Sequence, residues 1–419
     1  MFNKISIFLF YLLPISLISG NFAVNLNIFL IDTLALYYCY QNKDWDWIKD
    51  DVFRLLVIFN FFLIINSITI HYLDLINHSN YNYDGLIRSL TFSKFILFIY
   101  AFKILILDKK TLDKIIKVWS IIISIVIFDV FFESYFGFNI IGNVSPDQTR
   151  IISFFKDEAI VGALILCFGF IIATYFLDKD LELKSKIFFN ITLFMIPLSI
   201  FLSGERSNFI KSFIIFSLII FLIDKKKLLI KKKFFFMFLV VSCITTVFFS
   251  KNIYIKQTEI FKRIIAIENP EKFTDRFQNI KYFAHYDVAL KIFKDFPITG
   301  IGNKNFRFAC YDEKYTDEKI KFTYLRCNTH PHQIHFELLS EHGLIGYIFF
   351  FYIMFVFLKK NLIAANLSKS ILHYSSIIYL IVFFIPLLPG GALFSTFNGF
   401  LFWFLFAIAN FKLHQNSNL

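Results

Sequence analysis

The sequence is poor in cysteine: five in 419 residues are too few for a disulfide framework. It lacks the ~10-residue apolar/polar alternation of a transmembrane β-strand, which excludes a membrane barrel. No internal repeat of ~20–50 residues is present, so a repeat architecture has no support. Nor is there an inverted duplication with paired, Gly/Pro-broken helices in two halves, the pattern of many secondary transporters. No small-x-small cleavage site follows the first apolar run, Ile5 to Ile18, and a second run begins almost at once. The expectation is an uncleaved first span, not a removed signal peptide.

What the sequence has in quantity is apolar surface. It is 57% hydrophobic with 61 Phe, and its mean hydropathy is +0.62. The apolar residues come in runs approaching or exceeding the ~18 that cross a bilayer. This predicts an all-α polytopic membrane protein with about twelve spans, near 5–20, 22–40, 53–72, 89–107, 115–134, 158–177, 187–203, 207–223, 234–250, 343–358, 370–388 and 392–411. The formal charge of +12 would suggest nucleic acid in a soluble protein. Here the lysines fall in alternate short loops, including Lys225, Lys226, Lys227, Lys231, Lys232 and Lys233, as the positive-inside rule expects of cytoplasmic segments. No nucleic-acid partner is therefore implied, both termini are expected inside, and a long polar insert falls outside. The chain divides into spans one to nine (1–250), the insert (251–342), and spans ten to twelve with a short tail (343–419). Within the insert, Phe277, Ile280, Phe283, Asp287, Leu290 and Phe293 have helical spacing. Asn328 or Thr329 is placed to cap a further helix, with Pro331 in its first turn.

Candidate chemistry gathers on the outer face. Arg206 sits at the tip of a hairpin between the seventh and eighth spans, Arg150 in the loop before the sixth, and Arg276 in the insert. Each alone reads as an interfacial anchor. Together they suit a diphosphate, since guanidinium forks bind phosphate oxygens bidentately and keep their proton. Lys211, inside the second arm of the hairpin, either snorkels or faces a wet cavity. The insert also holds His285, His330, His332, His335 and His342. The cluster lacks recognised metal-ligand spacing, so no metal is expected. His332, placed in the first turn of a helix where the dipole disfavours imidazolium, is the candidate base, with His330 beside it. Cys310 and Cys327 either pair in an oxidising compartment or remain two thiols. Gly300 and Gly302 read as a tight turn before an anion nest.

In order, Arg150, Phe154-Phe-Lys-Asp-Glu-Ala-Ile-Val-Gly162, Ser203-Gly-Glu-Arg-Ser207, Arg276, Pro297-x-x-Gly-x-Gly302, Phe306, His330-Pro-His-Gln333 and Glu337-Leu-Leu-Ser-Glu-His-Gly-Leu-Ile-Gly346 resemble the O-antigen ligase and O-antigen polymerase superfamily of bacterial inner-membrane proteins. The resemblance covers roughly residues 150–350. It implies a membrane glycosyltransferase of GT-C-like architecture that works on the periplasmic face without metal or cofactor and with inversion. The implied donor is a glycan on undecaprenyl diphosphate. The implied acceptor is lipid A–core for a ligase, the next repeat unit for a polymerase, or another glycan. The family's outer-loop histidine falls on His332 and its arginines on Arg206 and Arg276. Many members have Asn after that histidine where this chain has Gln333. Glu158 stands where many members have other polar residues and takes a secondary role. The alternative from another class is a lipid-linked-glycan flippase or other transporter.

Overall fold

The computed structural model describes residues 2–72, 84–106, 108–147, 149–156, 158, 160–177, 179, 183–222, 236–237, 239–241, 243–244, 262, 280–368 and 370–411. Most of the ninth expected span and the front of the insert, with Arg276, lie outside the described residues. Among those described, every regular element is helical. The fold is an all-α polytopic membrane protein, and its helices keep backbone polar groups paired within each segment, as hydrocarbon requires.

The first span is split. Helix α1 (Phe2–Tyr11) and helix α2 (Leu13–Ser19) break where Pro14, which has no backbone N–H to donate, enters the first turn of α2. Next come α3 (Asn21–Asn42), α4 (Asp51–Tyr72), α5 (Asp84–Thr91), α6 (Ser93–Leu105) and α7 (Lys109–Phe136). The Asp108 carboxylate accepts the Thr111 N–H at 2.7 Å and so caps α7. Helix α8 (Val161–Leu177) contains a π-helical turn at Ile165–Gly169. Helices α9 (Leu183–Leu202) and α10 (Arg206–Leu222) form the hairpin, and α11 (Lys281–Asp295) lies in the insert. After the one-turn α12 (Phe306–Ala309) come α13 (Ile334–Ser368), α14 (Ile371–Phe383) and α15 (Thr396–Asn410). Among the described residues, five stretches can cross a bilayer by length and composition: Asn21–Asn42, Asp51–Thr69, Asp84–Leu105, Lys109–Phe136 and Ile334–Asn366. Shorter apolar helices run over Val161–Leu177, Asn190–Leu202, Ile371–Phe383 and Thr396–Asn410. The last two expected spans are thus trimmed, leaving a non-helical segment at 384–395.

The bundle core is aromatic. Trp119 of α7 stands edge-on to Phe168 of α8 at 5.2 Å and to Phe404 of α15 at 5.4 Å. The Trp119 indole N–H donates to the Phe10 carbonyl at 2.8 Å, tying α7 to α1. The insert has its own small core of Val288, Ala289, Ile292, Ile301, Phe306, Ala309, Cys310 and Tyr315. The buried residues of α11 are Ala284, His285, Tyr286, Val288, Ala289 and Ile292. The expected stripe over Phe283, Asp287 and Leu290 is therefore rotated about one position off, and Leu290 is exposed.

A backbone crossing clasps insert to bundle. Helix α13 is two helical segments that meet at a kink, where Gly343 has φ +61 and non-helical backbone, and the boundary expected at 342/343 falls at that kink. There the helix's free backbone groups pair with the turn at 297–302. Ile301 N–H donates to Ser340 O and Gly302 N–H to Glu341 O, while Leu344 and Ile345 donate back to Pro297 O and Ile298 O. A Cβ on Gly300 would lie 2.4 Å from the Glu341 carbonyl carbon, and one on Gly343 2.3 Å from Ile298 O. Gly300 and Gly302 thus serve a backbone crossing, not an anion nest.

Candidate functional site

The hairpin tip provides one wall. Gly204, at φ +77, brings its backbone so close to the preceding loop that a Cβ would sit 2.7 Å from Thr149 O. Ile151 N–H donates to Ser203 O at 3.2 Å. The loop is held from behind by two acids of α7. Glu133 accepts the N–H groups of Ile152 and Ser153 at 3.1 and 2.7 Å. Asp129 accepts the Ile140 N–H at 2.7 Å and the Ser153 hydroxyl at 2.6 Å. Arg150 is consequently set beside Arg206, the first residue of α10, and both line a cavity of about 300 Å³. Lys211, buried, reaches the same cavity with its ammonium 5.0 Å from the Phe383 ring centre.

The insert provides the opposite wall. His330, His332 and Tyr282 line the cavity. The rings of His330 and His332 are 4.2 Å apart, and His285 lies 5.1 Å from His332. His332 precedes the helix and has φ +59. This corrects the expectation of a first-turn position, and with it the helix-dipole argument. The helix cap is Gln333: its backbone carbonyl accepts the Glu337 N–H, and its side-chain oxygen accepts the N–H groups of His335 and Phe336 at 2.7 and 3.2 Å. Asn328 and Thr329 do not cap this helix, and Gln333 is buried in capping it, away from the cavity. The imidazoles are held neutral by other means. Burial, with the charges of Lys304 and neighbouring His285, lowers His330 to about 3. Burial, His330 and His285 likewise lower His332.

The floor comes from the segment between α14 and α15. Pro389, Gly390 and Gly391 line the cavity with Asn398, Tyr379 and Phe402. Gly390 N–H donates to His332 O at 2.7 Å, and Gly390 O faces His330 Nε2 at 3.3 Å. The segment is anchored by Leu393 N–H, which donates to Glu337 at 3.0 Å.

Of the expected residues, the structure brings together Arg150, Arg206, Lys211, His330 and His332. Arg276 is outside the described residues. Glu158 is exposed and does not line the cavity. His335 is engaged elsewhere, with Tyr347 Oη at 2.9 Å and Phe384 O at 2.8 Å. His342 is buried at the kink against Phe394, 5.1 Å away. Cys310 and Cys327 form a disulfide, Cα–Cα 5.2 Å, behind the histidine wall. Among the described residues no group of three His, Cys, Asp or Glu is disposed to hold a metal ion. Sequence reasoning missed Glu205, Asn208, Tyr282 and Asn398 as lining residues. It also missed the floor, although Pro389-Gly390-Gly391 interrupts an otherwise apolar run and was a visible signal.

Three cations, Arg150, Arg206 and Lys211, thus line one cavity together with a single carboxylate, Glu205, and its other members are neutral or apolar. Such a site favours an anion with an apolar extension. No curated protein matches the chain. Residues 191–351, from the hairpin through the histidine wall into α13, match the family model described as O-antigen ligase. Over these residues the chain is similar to the O-antigen ligase family, and the match supports the O-antigen ligase and polymerase superfamily, whose members carry out glycan transfer.

Proposed function

We propose that the chain transfers a glycan from undecaprenyl diphosphate to an acceptor hydroxyl at the periplasmic face of the bacterial inner membrane. It acts as ligase to lipid A–core or as polymerase to the next repeat unit. The observation that carries this reading is the meeting of Arg150, Arg206 and Lys211 with His330 and His332 in one cavity. Guanidinium and ammonium groups hold the diphosphate and stabilise the negative charge that grows on it as the glycosidic bond breaks. Phe383, Leu401 and Phe402 on the same cavity suit the first isoprene units. Neutral His332 orients the acceptor hydroxyl for in-line attack on the anomeric carbon, with inversion. Diphosphate is a good leaving group, so positioning and fixed charge supply the catalysis and the reaction needs no metal. Arg276 joins the diphosphate group on the family motif alone.

The test is a deletion strain analysed by lipopolysaccharide gels and complemented with wild type or Arg206→Ala. Uncapped core with polymer left on the carrier identifies a ligase, and core capped by one repeat identifies a polymerase. Full complementation by Arg206→Ala refutes the diphosphate role. Restoration of a chelator-abolished activity by a divalent ion refutes the metal-free mechanism. A transporter would instead leave donor stranded on the cytoplasmic leaflet.

A further inference from the structure

Glycan transfer requires that the acceptor hydroxyl lose a proton, and the histidine wall is poorly suited to take it. His330 has both ring nitrogens engaged: Nδ1 with the Thr329 hydroxyl at 3.0 Å and Nε2 with Gly390 O at 3.3 Å. His332 is enclosed by Tyr282, His285 and His330. An added proton there would face His330, His285, Lys281 and Arg150.

The opposite wall holds a carboxylate that fits the task. Glu205, at the hairpin tip, is the one acidic side chain among the cavity-lining residues. Its Oε1 accepts the Gly162 N–H at 2.5 Å and its Oε2 accepts the Asn208 amide at 2.5 Å. A Cβ on Gly162 would meet this carboxyl at 2.9 Å, so the group is fixed closely against α8. The Ala163 N–H also bears on this carboxyl, and Oε2, with the Asn208 amide as its hydrogen-bond donor, keeps a lone pair to offer. Around it stand Arg150 of the loop, Arg206 and Lys211 of α10, Tyr379 of α14, and His330 and His332 of the insert.

We propose that Glu205 is the catalytic base that removes the acceptor's proton, with His332 orienting the hydroxyl. This rests on the glycan-transfer reading above. The acceptor oxygen forms its bond to the anomeric carbon as its proton passes to the Glu205 carboxylate. The bond from the anomeric carbon to the diphosphate oxygen breaks, and its electron pair leaves with the diphosphate toward Arg150, Arg206 and Lys211. The proton then passes from Glu205 to water. Burial pushes Glu205 up to about 7 against the opposing pull of Gly162, Asn208 and Arg150, and a base matched to neutral pH is the most effective.

The experiment is a pH–rate profile over about pH 5 to 9. Membranes of a deletion strain carrying wild type, Glu205→Gln, Glu205→Asp or His332→Ala are permeabilised and supplied with their own lipid-linked glycan. Binding of undecaprenyl diphosphate to each purified chain is measured in parallel. Wild type should lose activity on the acid side of an apparent pKa near neutrality. Glu205→Gln should lose about 10²-fold or more of kcat/KM and with it the acid limb, while binding undecaprenyl diphosphate at least as tightly as wild type. Glu205→Asp should keep the limb at reduced rate, and His332→Ala should be slower with the limb unmoved. A wild-type acid limb in Glu205→Gln overturns the assignment. So does parallel loss of activity and undecaprenyl diphosphate binding in that variant, which is what a purely structural clasp on Gly162 predicts. A wild-type chain that binds the carrier yet transfers nothing at any pH overturns the glycan-transfer reading itself, and the assignment with it.

Discussion

Lys304→Met tests how the cavity floor is held. The Lys304 ammonium lies 3.2 Å from Glu337 Oε1, with the two side chains 3% and 0% exposed. Glu337 and Glu341 are one turn apart on α13, both buried. Glu341 accepts the backbone N–H groups of Lys304 and Phe306 at 2.9 and 3.3 Å. Removing the ammonium leaves Glu337 with Leu393 N–H alone and with an unscreened neighbour of the same charge. Deleting one partner of a buried pair costs about 3–5 kcal/mol, most of it the penalty of the charge left behind. Leu393 would be released and with it Gly390, the residue that grips both histidines. Equilibrium unfolding in mixed micelles reads the cost, and the transfer assay reads the floor. In the double variant Lys304→Met/Glu337→Gln the Glu337 charge is no longer stranded, and the Gln oxygen still accepts Leu393 N–H. It should recover at least about 2 kcal/mol of the loss, the size of coupling expected of contacting groups. A single variant within about 1 kcal/mol of wild type, or a double variant no better than the single, would refute the reasoning.

Gly300→Ala should cost about 2 kcal/mol or more, since the added Cβ meets backbone at Glu341 and His342. Gly137→Ala, also at positive φ but with nothing within 4 Å, should cost only about 1 kcal/mol. Equal melting temperatures for the two would count against the crossing. Cys327→Ser opens a bridge of sequence separation 17 and should remove about 3 kcal/mol. Reductant should lower the melting temperature of wild type and leave that of the variant unmoved. Lys211→Met removes a cation whose hydrogen bond to a phosphate is worth about 1.5–3 kcal/mol, so KM for the lipid-linked donor should rise about tenfold or more. An unchanged KM would place the ammonium off the donor. Glu205 takes up its proton more readily when folded than when unfolded. It therefore favours the folded state at acid pH and loses that contribution as pH rises through about 7. The melting temperature of Glu205→Gln relative to wild type should climb between about pH 5 and 8, and a flat difference would contradict the burial of that carboxyl.

The architecture was legible in the sequence because apolar run length is a one-dimensional property. So were the candidate cations and histidines, because Arg206 and His332 sit in short polar stretches that membrane helices cannot otherwise explain. Position relative to helix ends was less accessible. His332 was expected in a first turn, yet Gln333 takes the cap and leaves His332 outside the helix. A side-chain amide that caps its own helix looks in sequence like any other Gln. The α11 stripe was misplaced because its helix packs on two surfaces, the insert's core and α13, and a single apolar period cannot encode both. The floor at 389–391 is a tertiary property, since nothing near Gly390 in sequence announces that it binds residues 58 and 60 positions earlier. The same holds for Asp129 and Glu133, which look like stray acids in a span until the loop folds back on them.

Backbone strain marks the same place by an independent route. Five non-glycine residues have positive φ among those described: Lys43, Ser153, Lys304, His332 and Leu387. Lys43 merely ends α3. Of the other four, Ser153, His332 and Leu387 lie in the Arg150 loop, the histidine wall and the floor, and Lys304 follows the clasp turn and reaches the floor through Glu337. Each such position costs about 1–3 kcal/mol and persists only where neighbours overdetermine it. The neighbours are visible. Asp129 and Glu133 hold Ser153, Glu341 and Glu337 hold Lys304, Gly390 holds His332, and the Tyr286 hydroxyl donates to Leu387 O at 3.4 Å. Three of those four restraints are made by acids or by backbone in other elements, so the walls constrain one another across the cavity. Relaxing one should loosen the others. Asp129→Asn keeps the Ser153 contact as a weaker neutral hydrogen bond, and it should slow transfer through Arg150 while leaving the bundle folded. A melting temperature that falls with no loss of rate would show that Asp129 serves the bundle and not the site.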